Sequence, residues 1–403
     1  MTAVTAADVH RARGAVADVA WRTPVLPALT LGEHGPVLLK AESLQRTGSF
    51  KLRGALAKLD ALGDRCRRGV VCASAGNHAQ AVAAAARARG VPCEVVMPAG
   101  APIVKAEGAE ALGARVILAG ESVEACLAQA RERAQERGEV FVHPFDDPDV
   151  IAGQGTIGLE LLEDVPDLAR VIVPVGGGGL ASGVGLAIKA ARPQVQVIGV
   201  QVETFPAARE SLRAGHPVEL EPPEATIADG IAVKRPGDLT LSILSEVLDG
   251  IELVAEDEVA EAMVALMERA KLVVEGAGAV GVAALRSGRL APAPGGATVV
   301  IVSGGNVDAG MLATVTRRQE TQAGRRVALI TKVPDRPGAL ARLLGCIAAE
   351  GANLVEVEHV REGIDLHVRQ TAVQLVLETR GRAHAEAVLA AIRGAGYEAQ
   401  VLR

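Results

Sequence analysis

The reading of the fold turns on residues 170–191, Arg170-Val171-Ile172-Val173-Pro174-Val175-Gly176-Gly177-Gly178-Gly179-Leu180 and the Ala- and Gly-rich stretch after it. Eighteen uncharged residues stand between Arg170 and Lys189, and six of them are glycine. A membrane span needs about 20 apolar residues without a glycine block at its centre. The pattern instead predicts a buried strand, a glycine loop and a helix start. The same style recurs on both sides. Apolar runs at 70–74, 93–98 and 114–120 precede helix candidates at 77–89, 103–112 and 123–138, and runs at 195–202 and 297–304 follow. Near-continuous apolar strands alternating with helices of 10–15 residues predict an open α/β fold with parallel sheets covered on both faces. Ligands then gather at the carboxyl ends of the strands.

Length and composition bound the rest. The chain has 403 residues, 49% hydrophobic and 22% charged, so disorder is excluded and two or three domains are expected. Aromatic residues are 1%, which leaves no stacking platform for single-stranded nucleic acid, and the net charge of −6 offers no basic face. Five cysteines (66, 72, 93, 126 and 346) form no C-x-x-C pair, so reduced thiols and no structural zinc are expected. Residues 1–14 contain no apolar leader segment, which predicts a cytoplasmic protein with no membrane partner.

Near residues 316–326 the chain becomes polar and loses periodicity, which predicts a linker. Beyond it a strand, helix, strand, strand, helix and strand are read at 326–333, 338–350, 353–360, 370–378, 382–393 and 397–402, a ferredoxin-like βαββαβ order.

Four clusters carry chemistry. Thr47-Gly48-Ser49-Phe50-Lys51-Leu52-Arg53-Gly54 offers a lysine in a chain that takes most of its positive charge from arginine. A lysine is a nucleophile only as the neutral amine, so an enzyme that uses one buries it. Ser74-Ala75-Gly76-Asn77-His78-Ala79-Gln80 follows a strand and opens a helix, which suits a carboxylate seat or a plain capping turn; His78 taken alone reads as a satisfied buried histidine rather than a base. Gly176, Gly177, Gly178 and Gly179 before Leu180 can converge main-chain N–H groups on an anion, although the run is neither G-x-G-x-x-G nor a P-loop. Ser303-Gly304-Gly305-Asn306 ends the strand at 297–302.

Together these clusters resemble the pyridoxal-phosphate enzymes of the tryptophan-synthase-β type, and within them the threonine ammonia-lyases (threonine dehydratases) and their serine racemase relatives. Leu39-Lys40-Ala41-Glu42-Ser43-Leu44-Gln45, residues 226–234 and residues 274–279 add to the similarity, which covers about 15–315. Pro334-Asp335-Arg336-Pro337-Gly338-Ala339-Leu340 resembles an ACT amino-acid-sensing module.

The resemblance implies a two-lobed catalytic domain at 1–320, with a small lobe at 45–150 inserted between 1–44 and 151–320, and an ACT regulatory domain at 325–403. It implies pyridoxal phosphate as cofactor, joined to Lys51 through an imine. Phe50 would lie beside the ring, Asn77 on its 3-oxygen, Gly176 to Gly179 and Leu180 on the phosphate, Ser303 at the pyridine nitrogen, and Glu275 along the ring. Ser74, Ala75, Gly76, Asn77 and His78 would hold the substrate carboxylate, and freed Lys51 would remove the α-proton. Threonine, and serine beside it, would lose water and ammonia. Serine dehydratase or racemase is the alternative within enzymes; racemase-type members carry a second serine where Ala75 stands. A non-catalytic amino-acid sensor is the alternative of another class. Asp335, Pro337, Gly338, Ala339 and Leu340, with Asn353 from the next strand, would bind an amino-acid effector. A homodimer or homotetramer is implied. No metal ligands are assigned: relatives place carboxylates after a strand like 200–203, but Arg209 stands in the region where the second acid is expected.

Overall fold

The computed structural model describes residues 4–28, 36–101, 103–221, 225–361 and 366–402. Contacts divide the chain into two compact units, Met1–Val307 and Asp308–Arg403.

Among its described residues the first unit holds ten strands: β1 (Val25–Pro27), β2 (Val37–Ala41), β3 (Val70–Ala73), β4 (Cys93–Met97), β5 (Arg115–Leu118), β6 (Val140–Phe141), β7 (Leu168–Pro174), β8 (Gln196–Val202), β9 (Gly250–Val254) and β10 (Ala297–Val302). They form two sheets, ordered β1-β2-β10-β7-β8-β9 and β5-β4-β3-β6. Every neighbouring pair is parallel except β1 with β2 at one edge. The apolar runs fix this arrangement: β3, β4 and β10 are buried at every position, as strands covered by helices on both faces must be.

Chain order within the sheets decides where ligands go. In the small sheet the chain runs from β3 outward through β4 to β5 and then returns to β6 on the other side of β3. In the large sheet it runs from β7 to β8 and β9 and then returns to β10. Each sheet therefore has a switch point, between β3 and β6 and between β7 and β10, where neighbouring connections leave in opposite directions and open a crevice. The segments after these four strands are 74–78, 142–147, 175–180 and 303–306, and three of them are clusters singled out from the sequence.

A buried ionic network ties the lysine-bearing helix, Lys51–Leu62, to the rest of the unit. Arg53, 1% exposed, donates to both oxygens of Glu42 (2.9 and 2.8 Å) and to both of Glu160 (2.7 and 3.0 Å). Lys40, fully buried, reaches Glu160 at 2.6 Å and donates to the Thr23 carbonyl at 2.7 Å. Burial opposes the charge on Glu42, yet Arg53 beside it holds the carboxyl below its ordinary value. The set is two cations against Glu42 and Glu160, with Asp164 3.8 Å from Lys40 at its outer end. Desolvation offsets the attraction within such a set, so its contribution is to geometry more than to net stability.

The second unit begins with the helix Ala309–Gln322, where the sequence predicted a linker at 316–326. Arg, Gln and Glu are good helix formers, and only Val315 and Gln319, four residues apart, are buried in this helix. Such a narrow buried stripe left no periodicity to detect. After it come β11 (Arg326–Pro334), the helix Ala339–Ala349, β12 (Asn353–Val360), β13 (Gln370–Glu378), the helix Arg382–Gly394 and β14 (Gln400–Val401). The sheet order β12-β13-β11-β14, with all neighbours antiparallel, is ferredoxin-like. Val327, Leu329 and Val333 alternate along β11 into a core shared with Leu343, Ile347 and Val388.

Glu42→Ala takes from the buried Arg53 one of its two carboxylate partners, the fully buried one. We expect thermal or urea unfolding of the first unit to show a loss of about 3–5 kcal/mol. Arg235→Ala, which opens a surface pair with Asp238, should leave the same transition in place.

Candidate active site

Lys51 is the first residue of its helix, and the turn before it is stitched to the segment after β10. Phe50 N donates to Ser303 O at 3.1 Å, Gly305 N donates to Gly48 O at 2.8 Å, and Ser49 pairs with Gly304 as an isolated bridge. Gly48 sits at φ +72, and a side chain there would collide with the Asn306 amide. The first and fourth clusters of the sequence thus form one structural piece.

The Lys51 ammonium lies inside a cleft between the two sheets. Its Nζ donates to the Pro144 carbonyl at 2.8 Å and stands 5.3 Å from the centre of the Phe50 ring. Loss of water lowers its pKa to about 8, against the attraction of Glu275. Opposite sits Glu275, 6% exposed, whose pKa burial raises to about 7 although Asn77 donates to both its oxygens (2.8 and 3.0 Å). Asn77 opens the helix after β3, and its Oδ1 accepts from Asn306 Nδ2 at 2.7 Å. That bond fixes which way the Asn77 amide faces, with its NH₂ toward the cleft wall.

The glycine run forms the far wall. Gly178 adopts φ +98 and caps the helix Gly179–Ala191, so the run ends at a helix N-terminus, where N–H groups lack internal acceptors. Of the four, only Gly178 needs the left-handed region. Gly177 is required by packing instead: a Cβ there would lie 2.4 Å from the Phe145 ring.

Phe50, Lys51, Asn77, Glu275 and Ser303 line the cleft together with Gly176 to Leu180. Ser74, Ala75, Gly76 and His78 do not contribute to that lining. Ser74 Oγ accepts from Gly76 N at 3.0 Å, which shapes the turn before Asn77. His78 is turned inward, its Nε2 3.0 Å from the Val142 carbonyl, and burial lowers its pKa to about 3. The structure thus gives this ring a neutral, satisfied place in the interior, so it does not reach a substrate in the cleft.

Sequence reasoning missed the third wall: Pro144 and Phe145 after β6, with Gln154 on the next helix. The signal was present. A chain with four phenylalanines places two of them, Phe50 and Phe145, in one cleft. In the second unit, Asp335 accepts from Arg361 at 3.0 Å at the end of β11, and Gly338, at φ +82, caps the following helix. Asn353 is not beside them. It pairs with Glu378, level with Arg326 at the start of β11, so a nine-residue strand separates it from Asp335, roughly 25–30 Å. The helix between β11 and β12 carries the chain back, so β12 starts, at Asn353, from the opposite end of the sheet.

No group of three His, Cys, Asp or Glu that could hold a metal occurs among the described residues. Glu203 accepts from Arg289 at 2.8 Å, and the Arg209 main chain is bound to Gln201. The five cysteines are free thiols, and no described helix is long and apolar enough to cross a membrane.

Residues 16–305 match the family described as pyridoxal-phosphate dependent enzyme. The chain belongs to that family. An L-threonine ammonia-lyase of Thermotoga maritima is 45% identical over 402 residues, which are 99% of this chain and all of that protein. Among solved structures, the processed form of threonine deaminase isoform 2 from Solanum lycopersicum aligns with a TM-score of 0.73 at 36% identity over 77% of this chain and 86% of that one. Maize serine racemase aligns with a TM-score of 0.74 at 35% identity over 79% and 99%. The two-lobed tryptophan-synthase-β-like fold expected from the sequence is the fold of this chain.

Pyridoxal phosphate is the cofactor of a pyridoxal-phosphate dependent enzyme, and the donor set of the cleft suits it. An aldehyde needs an amine that sheds its proton readily, as Lys51 does. A phosphate needs unpaired main-chain N–H groups, which the start of the helix Gly179–Ala191 supplies. A planar ring needs flat, close walls: a Cβ on Gly304 would lie 2.2 Å from Glu275 and 3.2 Å from Asn77.

Because the folded pKa of Lys51 lies below the ordinary 10.5, the unfolded chain binds the extra proton between about pH 8 and 10.5. The penalty is present in full below pH 8 and fades as pH rises through that window. In cofactor-free protein, Lys51→Met should therefore raise stability by about 1–3 kcal/mol at pH 7, with little gain near pH 10.5. Denaturant melts at the two pH values check this, and acylation of Lys51 followed by peptide mass mapping should show a midpoint near pH 8.

Proposed function

We propose that this protein is a threonine ammonia-lyase that converts L-threonine to 2-oxobutanoate and ammonia, with serine as a second substrate. The observation that carries the reading is an easily deprotonated lysine amine placed between a helix-start glycine loop and a buried carboxyl, in a chain alignable end to end with an L-threonine ammonia-lyase. Pyridoxal phosphate, when bound, supplies an electron sink for the substrate's α-carbon.

The chain's own residues do the remainder. In this reading Lys51 holds the cofactor's aldehyde carbon in the resting enzyme and, once released, takes the proton from Cα. Gly176 to Gly179 and Leu180 bind the phosphate through the main chain. Asn77 donates to the ring oxygen, Ser303 faces the ring nitrogen, Phe50 packs beside the ring, and Glu275 holds a proton near the ring edge. The main-chain amides at the start of the helix Asn77–Arg89, with Ala75 before it, rather than the His78 ring, seat the substrate carboxylate. The β-hydroxyl leaves as water, and one water returns in the hydrolysis that frees ammonia.

Serine racemase is the second reading, favoured by the likeness to the maize enzyme. Ala75 opposes it, since it offers no hydroxyl to the second face of Cα.

The second unit supports an ACT-type regulatory role by its ferredoxin-like topology. Asp335, Pro337, Gly338, Ala339 and Leu340 would form the effector seat. Asn353 could join that seat only from another copy of the chain, which accords with a homodimer or homotetramer. The proposed division is a catalytic unit, its small lobe built on β3 to β6, followed by a regulatory one, in a cytoplasmic enzyme.

Borohydride reduction of the holoenzyme followed by peptide mapping should label Lys51, and Lys51→Ala should lose turnover by at least about 10³-fold. Label at another position would overturn the reading. Product analysis with L-threonine should give 2-oxobutanoate with D-threonine-type or D-serine products minor; racemisation as the main outcome would favour the second reading.

A further inference from the structure

Between β6 and the helix Pro148–Asp164 the chain makes a turn, 142–147, that touches both ends of the cleft. Its Pro144 carbonyl accepts from Lys51 Nζ. Its Phe145 ring fills the space beside Gly177, and its Phe145 carbonyl would lie 2.9 Å from a Cβ on Gly179. Asp146 Oδ1 accepts from Thr240 N at 3.0 Å, and Thr240 Oγ1 donates to Gly177 O at 2.6 Å. One short turn thus abuts the amine on one side and the glycine loop on the other.

His143 holds this turn from within. Its Nδ1 accepts from Phe145 N (3.3 Å) and Asp146 N (2.8 Å), the two main-chain donors that follow Pro144. Its ring stands edge-on to Phe145 at 4.8 Å and to Phe141 at 6.0 Å. Accepting at Nδ1 requires a neutral ring with its proton on Nε2, and burial keeps the pKa near 4. His143 does not line the cleft, so it does not touch the reacting atoms.

We infer that His143 is a positioning residue that sets Pro144 against Lys51 and Phe145 against the glycine loop at once, coupling the amine end of the site to its anion end. This rests on the reading of Lys51 and residues 176–180 as the two ends of the cofactor seat. A histidine does here what an apolar ring cannot, because it supplies an acceptor for two N–H groups while keeping the aromatic packing.

The test compares full-length wild type with His143→Phe, which keeps a ring and loses the acceptor, and His143→Asn, which restores an acceptor near the Nδ1 position. Two quantities are read: the dissociation constant for pyridoxal phosphate, and the pH midpoint of Lys51 acylation in cofactor-free protein. Thermal midpoints serve as the control for general damage. His143→Phe should weaken cofactor binding about tenfold and move the Lys51 midpoint up by about one pH unit, because a displaced turn admits water to the amine. His143→Asn should recover most of both. The inference is overturned if His143→Phe leaves both quantities at wild-type values, if it lowers only the thermal midpoint, or if His143→Asn is as impaired as His143→Phe. Should His143→Phe fail to fold, His143→Ala takes its place under the same criteria. A wild type that binds no cofactor, or whose Lys51 labels like a surface lysine, would sink the cofactor-site reading itself; a normal wild type with a normal His143→Phe sinks this inference alone.

Discussion

An amine kept out of water is the constraint around which the first unit is arranged. Lys51 can act as a nucleophile or a base near neutral pH only if the fold denies its ammonium hydration, and burial does so, bringing the pKa to about 8. The surroundings are consistent with that demand. The nearest imidazoles, His78 and His143, are held neutral, and the nearest carboxyl, Glu275, titrates near pH 7. A permanently ionised partner beside Lys51 would restore the charge that the site must shed. A main-chain carbonyl, as at Pro144, gives the ammonium an acceptor without a counter-charge.

Holding a lysine there requires a rigid mount, and two devices supply it. The turn 47–50 is laced by main-chain bonds to the strand end at 303–306, so the amine and the serine hydroxyl at 303 are parts of one piece. Two residues beyond Lys51, Arg53 is gripped by Glu42 and Glu160 from two other elements. Buried ion pairs are a poor route to stability and a good route to fixed geometry. Their place at the first turn of the lysine-bearing helix agrees with that use.

The two units of the chain are built on different principles. The first unit places its chemistry at the switch points of parallel sheets, where connections diverge and leave room for a ligand. The second is a four-stranded antiparallel sheet with two helices, whose candidate effector residues lie on a strand-to-helix turn. Its β12 edge exposes Val355 and Val357, whereas β13 is buried along most of its length.

What the sequence determined by itself was local: apolar runs with helical stretches between them, glycines after strands, and a lysine at a helix start. Periodicity and composition act over a few residues, and for the same reason the polar helix at 309–322, with its two-residue buried stripe, escaped them. The pairing of sheets, and so the meeting of residues 51, 77, 178, 275 and 303 in one cleft, was legible only through family resemblance. Tertiary structure alone decided the rest. It turned the His78 ring away from the cleft, sent Asn353 to the far end of its sheet, and brought in Pro144 and Phe145, whose part depends on a carbonyl direction and a ring packed on glycine. Such features belong to no single stretch of chain, because they exist only where two distant stretches touch.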